Sequence, residues 1–189
     1  DRTVEIAQSF GARVFHQEWQ GDFSRARNFS LSHATSEWIF IIDADERIVP
    51  EDIESLRTLL DDSRISILSI NVFNVYGNGD SGKTFLPSVR FFRRSLNLKY
   101  EGIVHNTLVY PEDMPVVRAG VRIKHLGYGL SREKMKQKLA RSRQLLEQQL
   151  AQNPENAFAL FNYAQLLRGE TTTFPLQNAD LILKSALRA

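Results

Sequence analysis

The sequence predicts an α/β domain, a mixed sheet with helices on both faces, followed by a small all-α tail. Three observations carry that expectation. Helix-like and strand-like stretches alternate as α-β-α-β-α-β up to Tyr76, the order of a mostly parallel sheet. Val89–Phe92, Gly102–Tyr110 and Val116–Lys124 then read as strands with no helix between them, an antiparallel extension of that core. After Gly127-Tyr128-Gly129 the pattern turns helical to the end, which sets a boundary at 128, with residues 1–128 as the α/β domain and 129–189 as the tail.

Thr3 to Phe10 reads as a short helix, with Gly11 where a left-handed C-cap belongs. Ala12-Arg-Val-Phe-His16 alternates as a strand does. Asp22 is placed to cap a helix from Phe23 to about Ala34. Trp38-Ile-Phe-Ile-Ile42 is apolar at every position, as suits a central strand covered on both faces. Pro50 fits the first turn of a helix reaching about Leu60, with Glu51 and Asp52 at its positive end. Ile65 to Tyr76, rich in β-branched and aromatic residues, reads as a long strand. In the tail, Ser131 caps a helix with Leu139, Leu145, Leu146 and Leu150 on its apolar face. Asn153-Pro154 ends it, and helices near Asn156–Arg168 and Leu176–Leu187 follow.

Composition removes several classes of function. The 189 residues hold no Cys, which excludes disulfides, zinc thiolates and thiol catalysis. Net charge is +2 with no basic stripe, so nothing favours nucleic acid as a partner. No apolar run approaches the roughly 20 residues of a membrane helix, and a cytoplasmic location is expected.

The strongest chemical signal is Ile39-Phe-Ile-Ile-Asp43-Ala44-Asp45-Glu46. An apolar strand delivers two carboxylates one residue apart, and ligands of open α/β sheets bind beyond the C-terminal ends of the strands. If the backbone stays extended, Asp43 and Asp45 share a side and can hold a divalent cation that binds a diphosphate. A polar turn capping the next helix is the competing reading. Upstream, Arg27 and Asn28 offer a cationic fork and an amide to a nucleotide or phosphate, against the plainer reading of a solvated helix face. Gly77-Asn-Gly-Asp-Ser-Gly82-Lys83-Thr84 satisfies the P-loop pattern, but Pro87 and a following strand argue against the helix such a loop requires. A hairpin connection is the better account.

Together, Asp1-Arg-Thr-Val-Glu-Ile-Ala, Phe23-Ser-Arg-Ala-Arg-Asn28 and Trp38 to Glu46 resemble family 2 glycosyltransferases of the GT-A (Rossmann-like) fold. Within them the chain looks most like bacterial enzymes that carry tetratricopeptide repeats after the catalytic domain. The resemblance implies inverting sugar transfer from a nucleotide-sugar donor, a UDP-sugar, to a carbohydrate, lipid or protein acceptor. It implies Asp43 and Asp45 at the diphosphate, Asp45 as the more direct ligand of Mn²⁺ or Mg²⁺, and Arg27 and Asn28 beside the donor nucleotide. Tyr100 to Asn106 resembles a Gly-x-Val-His-Glu stretch, and Ile123 to Tyr128 a His-x-Gly-Tyr stretch, which makes His105 or His125 a further metal ligand or diphosphate contact.

Two departures follow. In the family, a first strand, first helix and second strand that hold base and ribose precede the position of Asp1. Asn106 stands where Glu is usual, and an amide does not take a proton at neutral pH. Glu101 is a nearby alternative as general base, as are Glu112 and Asp113. A catalytically inactive binding module is therefore the rival reading, and a P-loop nucleotide hydrolase the third. In the tail, Leu160, Tyr163, Ala164 and Leu167 match the first helix of a tetratricopeptide repeat, and Ala179, Leu183 and Ala186 the second, with a turn at Gly169–Pro175. Such a tail would dock a protein partner; a plain helical hairpin bracing the enzyme domain is the alternative.

Overall fold

The computed structural model describes residues 2–76, 80–126 and 132–171. Helix α1 (Thr3–Ser9) stops where Gly11 takes φ 77°. Gly11 N–H donates to the Gln8 carbonyl at 2.9 Å and Ala12 N–H to that of Ala7 at 3.1 Å, which satisfies the last turn. The strand expected over Ala12–His16 does not form. Among the described residues no strand lies beside it, and an extended segment without a ladder partner is not part of a sheet. Side chains hold it instead, with Phe15 stacked on His33 at 3.8 Å and Arg13 donating to the His33 carbonyl at 2.7 Å. Helix α2 (Phe23–Ser32) starts as expected, the Asp22 carboxylate accepting Arg25 N–H at 3.0 Å.

The strands in chain order are β1 (Trp38–Phe40), β2 (Glu46–Ile48), β3 (Ile67–Tyr76), β4 (Asp80–Arg93), β5 (Lys99–Glu101), β6 (Thr107–Val109) and β7 (Val117–His125). Five of them form one sheet in the order β1-β4-β3-β7-β2, and β5 pairs with β6 in a separate ribbon. The sheet is mixed, and among the described residues only β3 and β7 are parallel neighbours. The mostly parallel core gives way because β4 returns directly from β3 and then pairs with β1. β1 is consequently an edge strand among the described residues, and β3 is the central one. The apolar run at Trp38–Ile42 has a different cause: Trp38 and Phe40 pack on one core and Ile39 and Ile41 on another.

Those two cores lie on opposite faces of the sheet. On one face, Leu68, Ile70, Phe91, Val121 and Ile123 pack against Leu56 of helix α3 (Ile53–Asp61). On the other, Ile39, Ile67 and Phe92 meet Leu31 at the end of α2 and Leu108 of β6. Alternation along β7 buries Ala119, Val121 and Ile123 and turns Arg118, Arg122 and Lys124 outward. A short 3₁₀ turn, Pro50–Asp52, precedes α3, and Asp52 pins it to β7 by a two-pronged ion pair with Arg122, both contacts at 2.8 Å.

The glycine-rich motif is not a phosphate loop. Lys83 and Thr84 lie within β4, where a phosphate cradle needs a helix start, and Gly77 to Gly79 fall outside the described residues. Helix α4 (Arg132–Gln152) and α5 (Ala157–Thr171) form the tail, Asn156 capping the latter through Ala159 N–H at 2.9 Å. Gly169 to Thr171, expected in a turn, belong to α5. The Ser131 cap, Tyr128 and the helix expected at Leu176–Leu187 lie outside the described residues. Leu145, Leu146, Leu160, Tyr163 and Leu167 are buried where α4 meets α5.

Two aspartates titrate low for structural reasons. Hydrogen bonds from the Arg64 side chain and backbone hold Asp62 at about 2, and the Arg122 side chain lowers Asp52. Both folded values lie below the ordinary 3.8. Their contribution to stability is thus complete above that pH and is lost as pH falls toward the folded values. Carboxyl NMR titration is expected to find the Asp62 midpoint near 2, and Arg64→Ala to return it toward 3.8.

Candidate active site

The two carboxylates sit in a tight turn, not an extended strand. β1 ends at Phe40, and Glu46 N–H donates to the Asp43 carbonyl at 2.9 Å. The Glu46 carboxylate reaches back to accept Asp43 N–H at 2.8 Å. This reciprocal turn replaces the simple alternation expected of Asp43 and Asp45. Glu46 is itself anchored by Arg90 of β4 at 2.6 Å, with side chains 2% and 12% exposed.

Asp43 and Asp45 face different partners, and their side chains are 45% and 48% exposed. Asp43 accepts from Arg27 of α2 at 3.0 and 3.4 Å, and Arg90 approaches it at 4.0 Å. Asp45 lies 3.2 Å from His125 Nε2 at the end of β7, while His125 Nδ1 meets Asn74 of β3 at 2.9 Å. Asp45 also accepts Leu126 N–H through its carbonyl at 2.8 Å, which fixes the turn against β7. Arg27, Asp43, Asp45 and His125 line one cleft of about 650 Å³, and Lys138 and Arg141 of α4 complete its wall.

The other predicted residues are distributed around this centre. Asn28 clamps β5 to α2, its amide donating to the Tyr100 carbonyl at 2.9 Å and accepting Tyr100 N–H at 2.8 Å. Both ends of that amide are thereby engaged with protein. His105 lies in the left-handed region at φ 50°, on the turn after β5. Loss of hydration and then the nearby Lys138 charge hold its pKa below the usual histidine value. Among the described residues no three His, Asp or Glu side chains converge as a metal cage, so His105 does not join Asp45 and His125. Glu101, Glu112 and Asp113 line neither this cleft nor the one beside it.

That second cleft, about 620 Å³, shares Arg27 and contains Tyr100, Asn106 and Arg118. The Tyr100 ring lies 5.2 Å from the Arg27 guanidinium. Burial raises the Tyr100 pKa, against the opposing influence of Arg27 and Arg90, so its hydroxyl stays protonated at neutral pH. The turn leading to Asn106 depends on Gly102, whose φ of 94° a side chain rarely adopts and whose carbonyl accepts the Ser24 hydroxyl at 2.6 Å.

Sequence reasoning missed Asn74, Arg90, Lys138 and Arg141. Asn74 carried a signal, being a buried polar residue in a strand of apolar and β-branched neighbours. Lys138 and Arg141, three apart, share a helix face. Arg90 carried none, because its partner Glu46 is 44 residues away.

Residues 1–109 match the family model described as glycosyl transferase family 2. The chain is 30% identical to the TPR repeat-containing protein of Synechococcus elongatus, a match covering all of this chain and 47% of that protein. It is likewise 30% identical to the SPbeta prophage-derived glycosyltransferase SunS of Bacillus subtilis, over 88% of this chain and 40% of that protein. The chain thus spans about half or less of the length of these curated relatives. Among solved structures, Staphylococcus aureus TarS 1-349 in complex with UDP aligns at a TM-score of 0.49 and 15% identity, covering 96% of this chain and 62% of that one.

Proposed function

Since this chain belongs to glycosyl transferase family 2, we propose that it carries the diphosphate end of a nucleotide-sugar site and takes part in sugar transfer to an acceptor hydroxyl. The observation that supports this reading is the cleft in which Asp43 and Asp45 stand among Arg27, Lys138 and Arg141. Cations aimed at one cavity bind an anionic leaving group and stabilise charge where it develops. Asp43 keeps Arg27 in position at 3.0 Å. Transfer forms a bond from the acceptor oxygen to the anomeric carbon as the bond to the diphosphate breaks, with inversion, and the hydroxyl proton passes to water.

Asp45 and His125 would hold a divalent cation, Mn²⁺ suiting the imidazole better than Mg²⁺. The donor set fits, since both side chains converge on one point and Asp45 is half exposed, leaving coordination positions for phosphate oxygen and water. Such a cation neutralises charge on the departing diphosphate. Asn74 orients the His125 ring through Nδ1, as partners of metal-binding histidines do. The tail, 129–189, is read as the start of a helical repeat that docks a protein partner, for which the exposed Phe158 and Phe161 of α5 are suited.

Calorimetric titration of UDP with Mn²⁺ into this chain tests the reading. Binding is expected to need the metal and to fall at least tenfold in Asp45→Ala. Binding that is indifferent to both would sink the diphosphate assignment. Lys138→Ala and Arg141→Ala are each expected to weaken UDP several-fold without changing the metal dependence.

A further inference from the structure

The cleft beside the acidic turn has a charge pattern of its own. Arg27, Arg90 and Arg118 line it, and no carboxylate does. Two of those guanidiniums are already engaged, Arg27 with Asp43 and Arg90 with Glu46. Arg118 makes no hydrogen bond or ion pair among the described residues. It lies on β7 directly across from Ser69 of β3, in the sheet face that carries Val89 of β4, and Ser69 and Ser88 line the same cleft. Asn106 adds a side-chain nitrogen, Nδ2, that is buried and has no hydrogen-bond partner. The cleft therefore combines an uncommitted planar cation, hydroxyls and an unsatisfied donor in a volume that suits a saccharide.

We propose that this cleft receives an acceptor bearing an anionic group, a phosphate or a carboxylate, held by Arg118. The proposal rests on the transferase reading and names the class of its acceptor. A guanidinium pairs with either oxyanion through two parallel hydrogen bonds, a geometry an ammonium cannot reproduce. A neutral acceptor would leave Arg118 without a counter-charge in a cleft that has none. Arg27, common to both clefts, puts the anion-bearing acceptor next to Asp43.

Amide-resolved NMR titration of the whole chain with glucose 6-phosphate, glucuronate and glucose tests this. At least one charged sugar is expected to shift the Ser69, Ser88, Thr107 and Arg118 amides and to bind at least tenfold more tightly than glucose. Which of the two binds identifies the anion. Arg118→Gln is expected to abolish that advantage and Arg118→Lys to restore part of it, with thermal unfolding as the control for an intact fold. The proposal is overturned if glucose binds as well as both charged sugars, or if Arg118→Gln leaves their affinity unchanged. UDP titration separates the two readings. UDP binding without a charged-sugar effect removes the anionic acceptor alone, and a charged-sugar effect without UDP binding removes the transferase reading.

Discussion

Glu46→Ala is expected to cost about 3–5 kcal/mol of folding stability, because it leaves Arg90 buried without its counter-ion. Glu46 is 2% exposed and contacts Arg90 at 2.6 Å, so solvent does little to screen the loss. Without Glu46, Arg90 keeps only the Ile41 carbonyl at 3.5 Å and the Asp43 carboxylate at 4.0 Å, and its Nε has no hydrogen-bond partner. The same substitution removes the acceptor of Asp43 N–H, the bond that closes the acidic turn. Urea denaturation is expected to show the stability loss, and UDP titration at a temperature where the variant is folded a further drop in affinity. Glu46→Gln keeps an acceptor for Asp43 N–H and is expected to fall between. A variant as stable as the parent would mean that Arg90 finds water in place of Glu46.

Gln149→Leu is the second large effect. One side-chain oxygen of this buried residue of α4 accepts both Ile103 N–H at 2.8 Å and Val104 N–H at 3.3 Å. Leucine fills much of the space and accepts nothing, so two buried donors go unpaired at about 1–3 kcal/mol each. The expected total, about 2–6 kcal/mol, is readable as a lowered urea midpoint with an unchanged slope. Hydrogen exchange at Ile103 and Val104 is expected to accelerate more than at Val121 in the sheet core. Equal acceleration throughout would show that Gln149 supports the fold as a whole and not this turn in particular.

These two residues also show what was legible in the sequence. Local signals were readable: the Asp22 cap, the Gly11 stop, the long strand β3 and the leucine face of α4 each depend on neighbours within a few residues. The family resemblance rested on short stretches that keep their spacing, and the matched family bears it out. Long-range pairings were not readable. β1 looked central because both its faces are covered, yet its place at the sheet edge is decided by β4, some fifty residues on. Asp43 and Asp45 looked alike in an extended strand, but Glu46 and Arg90 bend the chain between them and send each to a different partner. His125, 80 residues from Asp45, was nameable as a candidate but not as its neighbour. Gln149 lies in the tail and had no visible reason to touch the turn before Asn106.

Arg27 stands in the wall of both clefts, so on the proposed reading it couples the affinities of donor and acceptor. A donor that draws Arg27 away from Asp43 changes the surface an acceptor meets, and an acceptor that holds Arg27 in place changes what a donor must displace. Thermodynamic linkage makes the two effects equal: whatever factor the donor applies to acceptor affinity, the acceptor applies to donor affinity. On the proposed reading, a single side chain would give donor and acceptor binding a common cooperativity.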